Sequence, residues 1–259
     1  MDRKSLTINS YPFRGRFLRR TCGPEVPAAR ATPTRSLCLS LPRKTLRAQR
    51  RQLTIPTPKV QDLLQPYSRD VPLEICDKIQ SYMDLLSIWG RKIALTAVSS
   101  EEDVVRFHFG ESLFALSLES FEHGRLADVG SGAGFPGLAI KLLRPNLSVI
   151  LLEPNKKKCA FLNEVTRKLE FSDVAILPIG FEVSKIRPNE LAFVTSRALG
   201  KISDLLSWSR TKLRPDGRVI LWLGAEDAEN TALIPDWHWI QSAIPGTARR
   251  RIIVGKPGR

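Results

Sequence analysis

The fold is decided by residues 125–137, which read RLADVGSGAGFPG. A short apolar run ends at Asp128, four glycines follow in a tight loop, and residues 138–143 continue with the apolar spacing of a helix. This pattern predicts a strand, a glycine loop and a helix. Glycine lets backbone N–H groups approach a ligand closely, and the helix N-terminus adds partial positive charge. The stretch is therefore a candidate ligand-binding loop, with an ordinary tight turn as the alternative.

The spacing of the glycines narrows the class of ligand. They form G-x-G-x-G at Gly130, Gly132 and Gly134. The dinucleotide-binding fingerprint has its third glycine one residue later, where Phe135 stands. A second acidic residue, Glu153, closes the next apolar run, as Asp128 closes the first. The pattern suits a nucleoside that carries an amino acid, with Glu153 accepting from the ribose hydroxyls and the loop amides holding the amino-acid part.

Strand and helix patterns alternate after the loop, which is typical of a doubly wound α/β sheet. Further strands are predicted at residues 149–152, 174–177, 191–195, 218–223 and 252–254, with helices over 156–169 and 202–213 and a turn over 214–217. We expect this Rossmann-like sheet to occupy residues 122–259.

Two amphipathic helices are predicted before the sheet. Apolar residues recur every three or four positions from Leu73 to Trp89. A second helix, over residues 104–114, follows an acidic turn at 101–103 that Ser99 or Ser100 caps. We expect residues 56–121 to form a small N-terminal helical lobe.

Positive charge is concentrated at the start of the chain. The 259 residues carry a net charge of +14 with an isoelectric point near 10.1. Residues 1–55 hold thirteen lysines and arginines against two acidic residues. We expect this basic segment to be disordered. Its interpretation stays open between a tail without a role or an early start codon, a transit peptide, and an arm that binds RNA phosphates.

Composition argues against membrane and metal-binding classes. No apolar run approaches the roughly 20 residues that span a bilayer. The four cysteines, Cys22, Cys38, Cys76 and Cys159, are far apart and form no C-x-x-C pair. We therefore expect no membrane segment, no metal site and a reducing, cytoplasmic location.

From residue 79 to 254 the chain resembles the bacterial 16S ribosomal RNA guanine-N7 methyltransferases, also called glucose-inhibited division protein B. The most specific match is the loop DVGSGAGFPG at residues 128–137. Further matches are Trp89 with Leu95-Thr96, a helix with His108 and Glu111, Leu151-Leu152-Glu153, Lys157 with Phe161-Leu162, Ser196-Arg197-Ala198, and Arg249-Arg250-Arg251. The resemblance implies a Rossmann-like S-adenosylmethionine-dependent methyltransferase sheet with a small N-terminal helical lobe.

The resemblance also implies roles for individual residues. The cofactor contacts it implies are Asp128, Gly130, Ser131, Gly132, Gly134, Phe135, Glu153, Phe181, Glu182 and Arg197. Phe181 would lie beside the adenine, with Glu182 setting its orientation. Arg197 is the expected catalytic residue, and Lys157 and Arg250 are expected to contact small-subunit ribosomal RNA. The protein is expected to act as a monomer without a metal.

The implied chemistry needs no general base, since N7 of guanine already presents a lone pair. We expect catalysis by alignment of nitrogen, methyl and sulfur, with Arg197 positioning the base. The chain departs from the family at Gly90, Ala94 and Leu223, which leaves open a different RNA or small-molecule acceptor. A non-catalytic RNA-binding protein on a degenerate methyltransferase fold is the other alternative.

Two features outside the loop have structural interpretations that we favour. His108 is expected to be satisfied within the lobe interface, with Glu111 a possible hydrogen-bond partner. Trp237, His238 and Trp239 could stack on bases, although packing is the preferred interpretation.

Overall fold

The computed structural model describes residues 55–98, 100–197 and 199–258. Nearly all of the predicted basic extension, one candidate helix cap, Ser99, and Ala198 lie outside the described residues. Eight α-helices are described: α1 (Thr57–Leu64), α2 (Leu73–Gly90), α3 (Glu101–Val104), α4 (Glu111–Phe114), α5 (Gly137–Leu143), α6 (Lys156–Lys168), α7 (Ile202–Lys212) and α8 (Ala225–Ala232). Seven strands accompany them: β1 (Arg125–Val129), β2 (Ser148–Leu152), β3 (Val174–Leu177), β4 (Leu191–Arg197), β5 (Leu213–Gly224), β6 (Trp237–Ala243) and β7 (Arg250–Pro257).

The strands form one sheet in the order β3-β2-β1-β4-β5-β7-β6. The first five in this order are parallel, and β7 runs antiparallel to both β5 and β6. Chain order reverses on the two sides of β1, so a crevice opens between the carboxyl ends of β1 and β4. The predicted α/β Rossmann-like fold is confirmed.

Both faces of the sheet are buried, which explains why its central strands read as continuous apolar runs. Along β1, Leu126 belongs to the hydrophobic cluster on one face and Ala127 to the cluster on the other. The first cluster also contains the lobe residues Tyr82 and Phe109. The lobe and the sheet therefore share a core, and the boundary at residue 121 stays a prediction.

The helices of the lobe follow the predicted periodicity with two local differences. On α2, Ile79 and Tyr82 are fully buried, whereas Leu73, the first residue of the helix, is 51% exposed. The predicted second helix is interrupted by a π-helix, Val105–Gly110, between α3 and α4. Its last residue must be glycine, because a Cβ there would lie 2.6 Å from the Tyr67 ring.

The structure differs from the sequence prediction at one turn and at three elements that were not predicted. Residues 214–217, predicted as a turn, lie within β5, and a register shift opposite residues 191–193 accommodates them. Helices α1 and α8 were missed because they are short, and α8 buries only Ala228 and Thr231. Strand β6 was missed because only Trp237 is buried and four of its seven residues are exposed, which leaves no apolar pattern to recognise.

The tryptophans of β6 pack against each other and against the sheet, in agreement with the preferred interpretation. Trp237 is 9% exposed, and its ring stacks on that of Trp239 with centroids 5.4 Å apart. A Cβ on Gly255 of β7 would lie 2.3 Å from the Trp239 ring. The pair therefore covers the neighbouring strand.

Candidate active site

The glycine loop lies at the carboxyl end of β1, beside the crevice. Gly130, Gly132 and Gly134 have φ angles of 71°, 56° and 87°, a region that glycine enters without steric cost. The loop leans on the neighbouring strand, since the N–H groups of Gly130 and Ser131 donate to the Leu152 carbonyl at 2.9 and 3.3 Å. Its backbone is thus held in a fixed, unusual conformation.

Tyr82 of α2 holds the loop from the side of the helical lobe. Its hydroxyl donates to the Ala133 carbonyl at 2.7 Å, and its ring stacks on Phe135 with centroids 5.4 Å apart. A Cβ on Gly134 would lie only 2.1 Å from the Tyr82 hydroxyl. Position 134 therefore has to be glycine, because the Tyr82 hydroxyl occupies the space that a side chain would need.

Asp128, on β1, anchors the loop to the sheet. Its side chain is fully buried and accepts hydrogen bonds from the Thr195 hydroxyl at 2.8 Å and the Gly137 N–H at 3.2 Å. The Ser131 hydroxyl donates to the Asp128 carbonyl at 2.8 Å. Burial raises the pKa of Asp128 to about 6, although the hydrogen bonds oppose that shift. Through its carboxyl group and its backbone carbonyl, Asp128 joins β4, the loop and the first turn of α5.

Glu153 follows β2 and reaches the loop directly. One carboxylate oxygen accepts from the Gly132 N–H at 2.8 Å and the other from the Asn155 N–H at 2.8 Å. A carboxylate oxygen can accept two hydrogen bonds, so both retain capacity for a ligand hydroxyl. Only 6% of the residue is exposed. The two motifs that the sequence paired, the loop and the second acid, are in contact.

Phe181 and Glu182 lie in a 3-10 turn, Phe181–Val183, after β3. Phe181 is 4% exposed and meets Trp208 edge-on, with centroids 5.6 Å apart, in the cluster on the opposite sheet face from Phe135. The exposed Glu182 pairs with Lys201 at 3.3 Å. The structure thus brings the loop, Asp128 and Glu153 together, and gives the Phe181 side chain contacts elsewhere.

Arg197, at the end of β4, and Arg250, at the start of β7, meet one buried carboxylate. The Glu111 carboxylate lies 3.1 Å from an Arg197 nitrogen and 2.7 Å from an Arg250 nitrogen. Arg197 also donates to the Phe107 carbonyl at 2.7 Å, and the Arg250 guanidinium lies 4.9 Å from the centre of the Phe107 ring. We call these four residues the arginine cluster.

His108 is bound to Thr96 rather than to Glu111, so the partner suggested from sequence is wrong. Its Nε2 lies 2.5 Å from the Thr96 hydroxyl, and its ring stacks on Phe135 with centroids 4.9 Å apart. Burial and the nearby Arg197 and Arg250 lower the pKa of His108 to about 4, so the ring is neutral at pH 7. Glu111 is already engaged by the two arginines, which sequence spacing could not indicate.

Lys157 lies in the first turn of α6, a few residues beyond Glu153. The helix begins at a cap that the sequence analysis overlooked, because the Asn155 side chain accepts from the N–H groups of Lys157 and Lys158 at 2.9 and 3.3 Å. The Lys157 side chain is exposed. Its ammonium group is therefore available to a polyanion near the crevice.

Two negative findings concern the described part of the chain. No group of three or more histidine, cysteine or acidic residues there could hold a metal ion. Over the same residues, no helix has the length and apolar character needed to cross a bilayer.

Comparison with known proteins gives a consistent family. A family model described as rRNA small subunit methyltransferase G matches residues 75–245. A protein of that name from Legionella pneumophila is 31% identical over 76% of this chain and 94% of its own length. Another, from Syntrophotalea carbinolica, is 33% identical over 65% of this chain and 78% of its own length.

Solved structures share the fold at low sequence identity. A S-adenosylmethionine-dependent methyltransferase from Methanococcus maripaludis aligns with a TM-score of 0.52 at 12% identity, over 69% of this chain and 94% of that chain. A ribosomal protein L11 methylase from Lactobacillus delbrueckii aligns with a TM-score of 0.50 at 16% identity, over 59% and 79%. These likenesses concern the fold alone.

Replacing Tyr82 by phenylalanine should weaken S-adenosylmethionine binding about fivefold. The variant keeps the ring stacked on Phe135 but loses the hydrogen bond that fixes the loop carbonyl, worth about 1 kcal/mol. Titration calorimetry measures the effect. Tyr67→Phe is the matched control, because Tyr67 packs in the same lobe and touches Gly110 rather than the loop. Wild-type affinity for S-adenosylmethionine in Tyr82→Phe would show that this hydrogen bond does not support cofactor binding.

Replacing Asp128 by asparagine should change how stability depends on pH. Because the pKa of Asp128 is higher in the folded protein, its contribution is full below pH 4 and is lost as pH rises through about 6. The variant should therefore gain about 3 kcal/mol relative to wild type between pH 4 and 7, at 1.4 kcal/mol per pKa unit.

Urea unfolding of both proteins across this pH range checks the prediction. His108 contributes with the opposite sign, since its pKa is lowered on folding. It is present in both proteins, so its contribution cancels in the difference. Parallel stability profiles for the two proteins would show that the buried carboxyl group has an ordinary pKa.

Proposed function

The chain belongs to the rRNA small subunit methyltransferase G family, and from this premise we propose that it transfers a methyl group from S-adenosylmethionine to N7 of a guanine in 16S ribosomal RNA. The observation that carries the proposal is the contact between the glycine loop and Glu153 at the crevice of the sheet. A different acceptor remains the second candidate because of Gly90, Ala94 and Leu223. Gly90 and Ala94 are exposed on the lobe, and Leu223 is half-buried near the carboxyl end of β5.

The residues at the crevice fit S-adenosylmethionine. The loop brings its backbone close to the crevice at glycines whose positive φ angles would strain any residue with a side chain. Glu153 retains acceptor capacity for the ribose hydroxyls, and we assign it that role. Asp128, fully buried, contributes indirectly by holding the loop in place. The cofactor-facing group is then Gly130, Ser131, Gly132, Gly134, Phe135 and Glu153, with the backbone of Phe181 and Glu182 beside the adenine.

The proposed reaction requires no proton transfer by the protein. S-adenosylmethionine, when bound, would supply a methyl group on a sulfonium sulfur; guanine N7 could take that methyl with its lone pair, and the sulfur would keep the electrons of the bond it loses. Guanine loses no proton, so the chain needs no base. Arg197 aligns the acceptor at the end of β4, where the Phe107 carbonyl and Glu111 restrain its guanidinium. Alignment of this kind accounts for large rate factors without acid–base groups.

RNA binding is assigned to Lys157 and Arg250, on either side of the crevice. We propose that residues 56–121 act as a lobe that supports both the cofactor loop and the RNA side, and that residues 122–259 form the catalytic sheet. The protein is proposed to work as a cytoplasmic monomer. The basic segment before residue 56 adds charge that favours a polyanionic substrate.

Replacing Arg197 by alanine should lower kcat/KM for methylation of unmodified 16S ribosomal RNA about 100-fold, since the acceptor loses its positioning group. Incorporation of labelled methyl groups measures the rate, and mapping the modified base identifies the acceptor. Arg197→Lys keeps the charge but not the fork-shaped donor, and should recover only part of the activity. Arg167→Ala, an exposed arginine paired with Glu164, is the control.

The outcomes separate the candidates. Full activity of Arg197→Ala would refute its role. Methylation at another base or molecule by the wild-type protein would favour the different-acceptor alternative. Absence of S-adenosylmethionine binding would favour the non-catalytic RNA-binding protein.

A further inference from the structure

The arginine cluster contains a buried acid for which the methyl transfer itself has no use. We propose that Glu111 is a positioning residue for RNA: it holds Arg197 and Arg250 side by side as a two-guanidinium clamp for an RNA backbone phosphate next to the acceptor base. This inference rests on the proposed function. It adds a residue and a ligand group to it, namely a buried carboxylate on the lobe and a phosphate oxygen on the RNA.

The position of Glu111 is fixed independently of the arginines. The residue is 1% exposed, and its backbone carbonyl accepts from the indole N–H of Trp222 on β5 at 2.8 Å. Within the described part of the chain, neither carboxylate oxygen has a well-aligned hydrogen bond. Burial raises the pKa of Glu111, and the two guanidinium groups oppose that shift. The carboxylate therefore depends on the charge of its two partners, one at each oxygen.

The arginines reach Glu111 from two strands that end at the same edge of the sheet. Arg197 closes the parallel strand β4, whereas Arg250 opens β7, which runs the opposite way and pairs with Gly224 at the end of β5. Because β7 is antiparallel to β5, its first residue, Arg250, lies beside the carboxyl end of β5, at the crevice. Two cations more than fifty residues apart in sequence meet at one carboxylate beside the cofactor loop.

Phe107 gives each guanidinium a second fixed contact. Its carbonyl accepts from Arg197, and its ring lies under Arg250. The arginine side chains nevertheless keep 20% and 36% of their surface exposed. Each guanidinium has five N–H donors, so both retain donors beyond those used inside the protein. The two arginines and Glu111 together carry a charge of +1. A restrained, partly exposed pair with surplus donors and surplus charge suits an oxyanion.

Two oxyanions are available at this crevice, the carboxylate of the cofactor and a phosphate of the RNA. The glycine loop and Glu153 are the groups to which the cofactor is assigned above. Arg250 belongs to the basic run 249–251, of which Arg249 is exposed. These observations favour a phosphate. The effect on cofactor affinity distinguishes the two sources.

The test is Glu111→Gln in the full-length chain, which preserves shape and removes one negative charge. If Glu111 acted only through its charge, the variant would bind RNA more tightly. A positioning role predicts the opposite sign, because the guanidinium groups lose their fixed places. We expect the KM for unmodified 16S ribosomal RNA to rise about tenfold and the Kd for S-adenosylmethionine to stay within twofold. The kcat should change less than threefold, because the Phe107 carbonyl still restrains Arg197 in the variant.

Salt dependence provides a second measurement. Loss of one phosphate contact should reduce the slope of log Kd against log salt by about 0.7 for single-stranded RNA. Arg250→Ala should show the same reduction, and adding Glu111→Gln to it should have a smaller effect than in wild type. Glu102→Gln, the same acid-to-amide change at a half-buried lobe residue paired with Arg106, is the matched control and should leave the slope unchanged.

If Glu111→Gln fails to fold, Phe107→Leu replaces it, since it removes the ring beneath Arg250 and keeps the backbone carbonyl that binds Arg197. Unchanged or tighter RNA binding in the folded variant would overturn the proposal, and a large rise in the Kd for S-adenosylmethionine would reassign the clamp to the cofactor carboxylate. Wild-type protein that fails to methylate 16S ribosomal RNA would instead overturn the proposed function.

Discussion

The structure depends on one close approach, that of the Tyr82 hydroxyl to the backbone at Gly134. No side chain fits between them, because a Cβ would lie 2.1 Å from the hydroxyl oxygen. The same tyrosine stacks on Phe135, and Phe135 in turn stacks on His108. The helical lobe therefore packs directly against the glycine loop, so the lobe and the sheet together shape the candidate site.

Two buried carboxyl groups near the crevice are stabilised in different ways. Asp128 is surrounded by neutral donors, the Thr195 hydroxyl and a backbone N–H, and burial raises its pKa to about 6. Glu111 has two cations but no well-aligned hydrogen bond in the described chain. Neutral donors fix direction, which suits an anchor for backbone. Paired cations leave surplus charge, which suits a surface that meets a polyanion.

Sequence alone predicted the features encoded by neighbouring residues. The glycine spacing and the apolar runs gave the strand, the loop, the helix and most of the sheet, and the second acid was found because it ends the next strand. The contacts of Tyr82 with the loop and of Glu111 with Arg250 were not predictable, because they join residues 51 and 139 positions apart through tertiary packing alone. Edge strand β6 and the strand conformation of residues 214–217 were not predicted for a related reason. Their backbone pairs with neighbours although their own side chains show no continuous apolar pattern.

The long sequence separation of the contacts in the arginine cluster has a consequence for when the cluster can exist. Arg197 meets the Phe107 carbonyl across 90 residues, and Trp222 meets that of Glu111 across 111. Closing such long loops costs more conformational entropy than forming the contacts inside the strand–loop–helix unit around Gly132, which is local in sequence. The arginine cluster therefore exists only when the helical lobe and the far strands of the sheet are both in place, so a local loss of structure in either part would dismantle it.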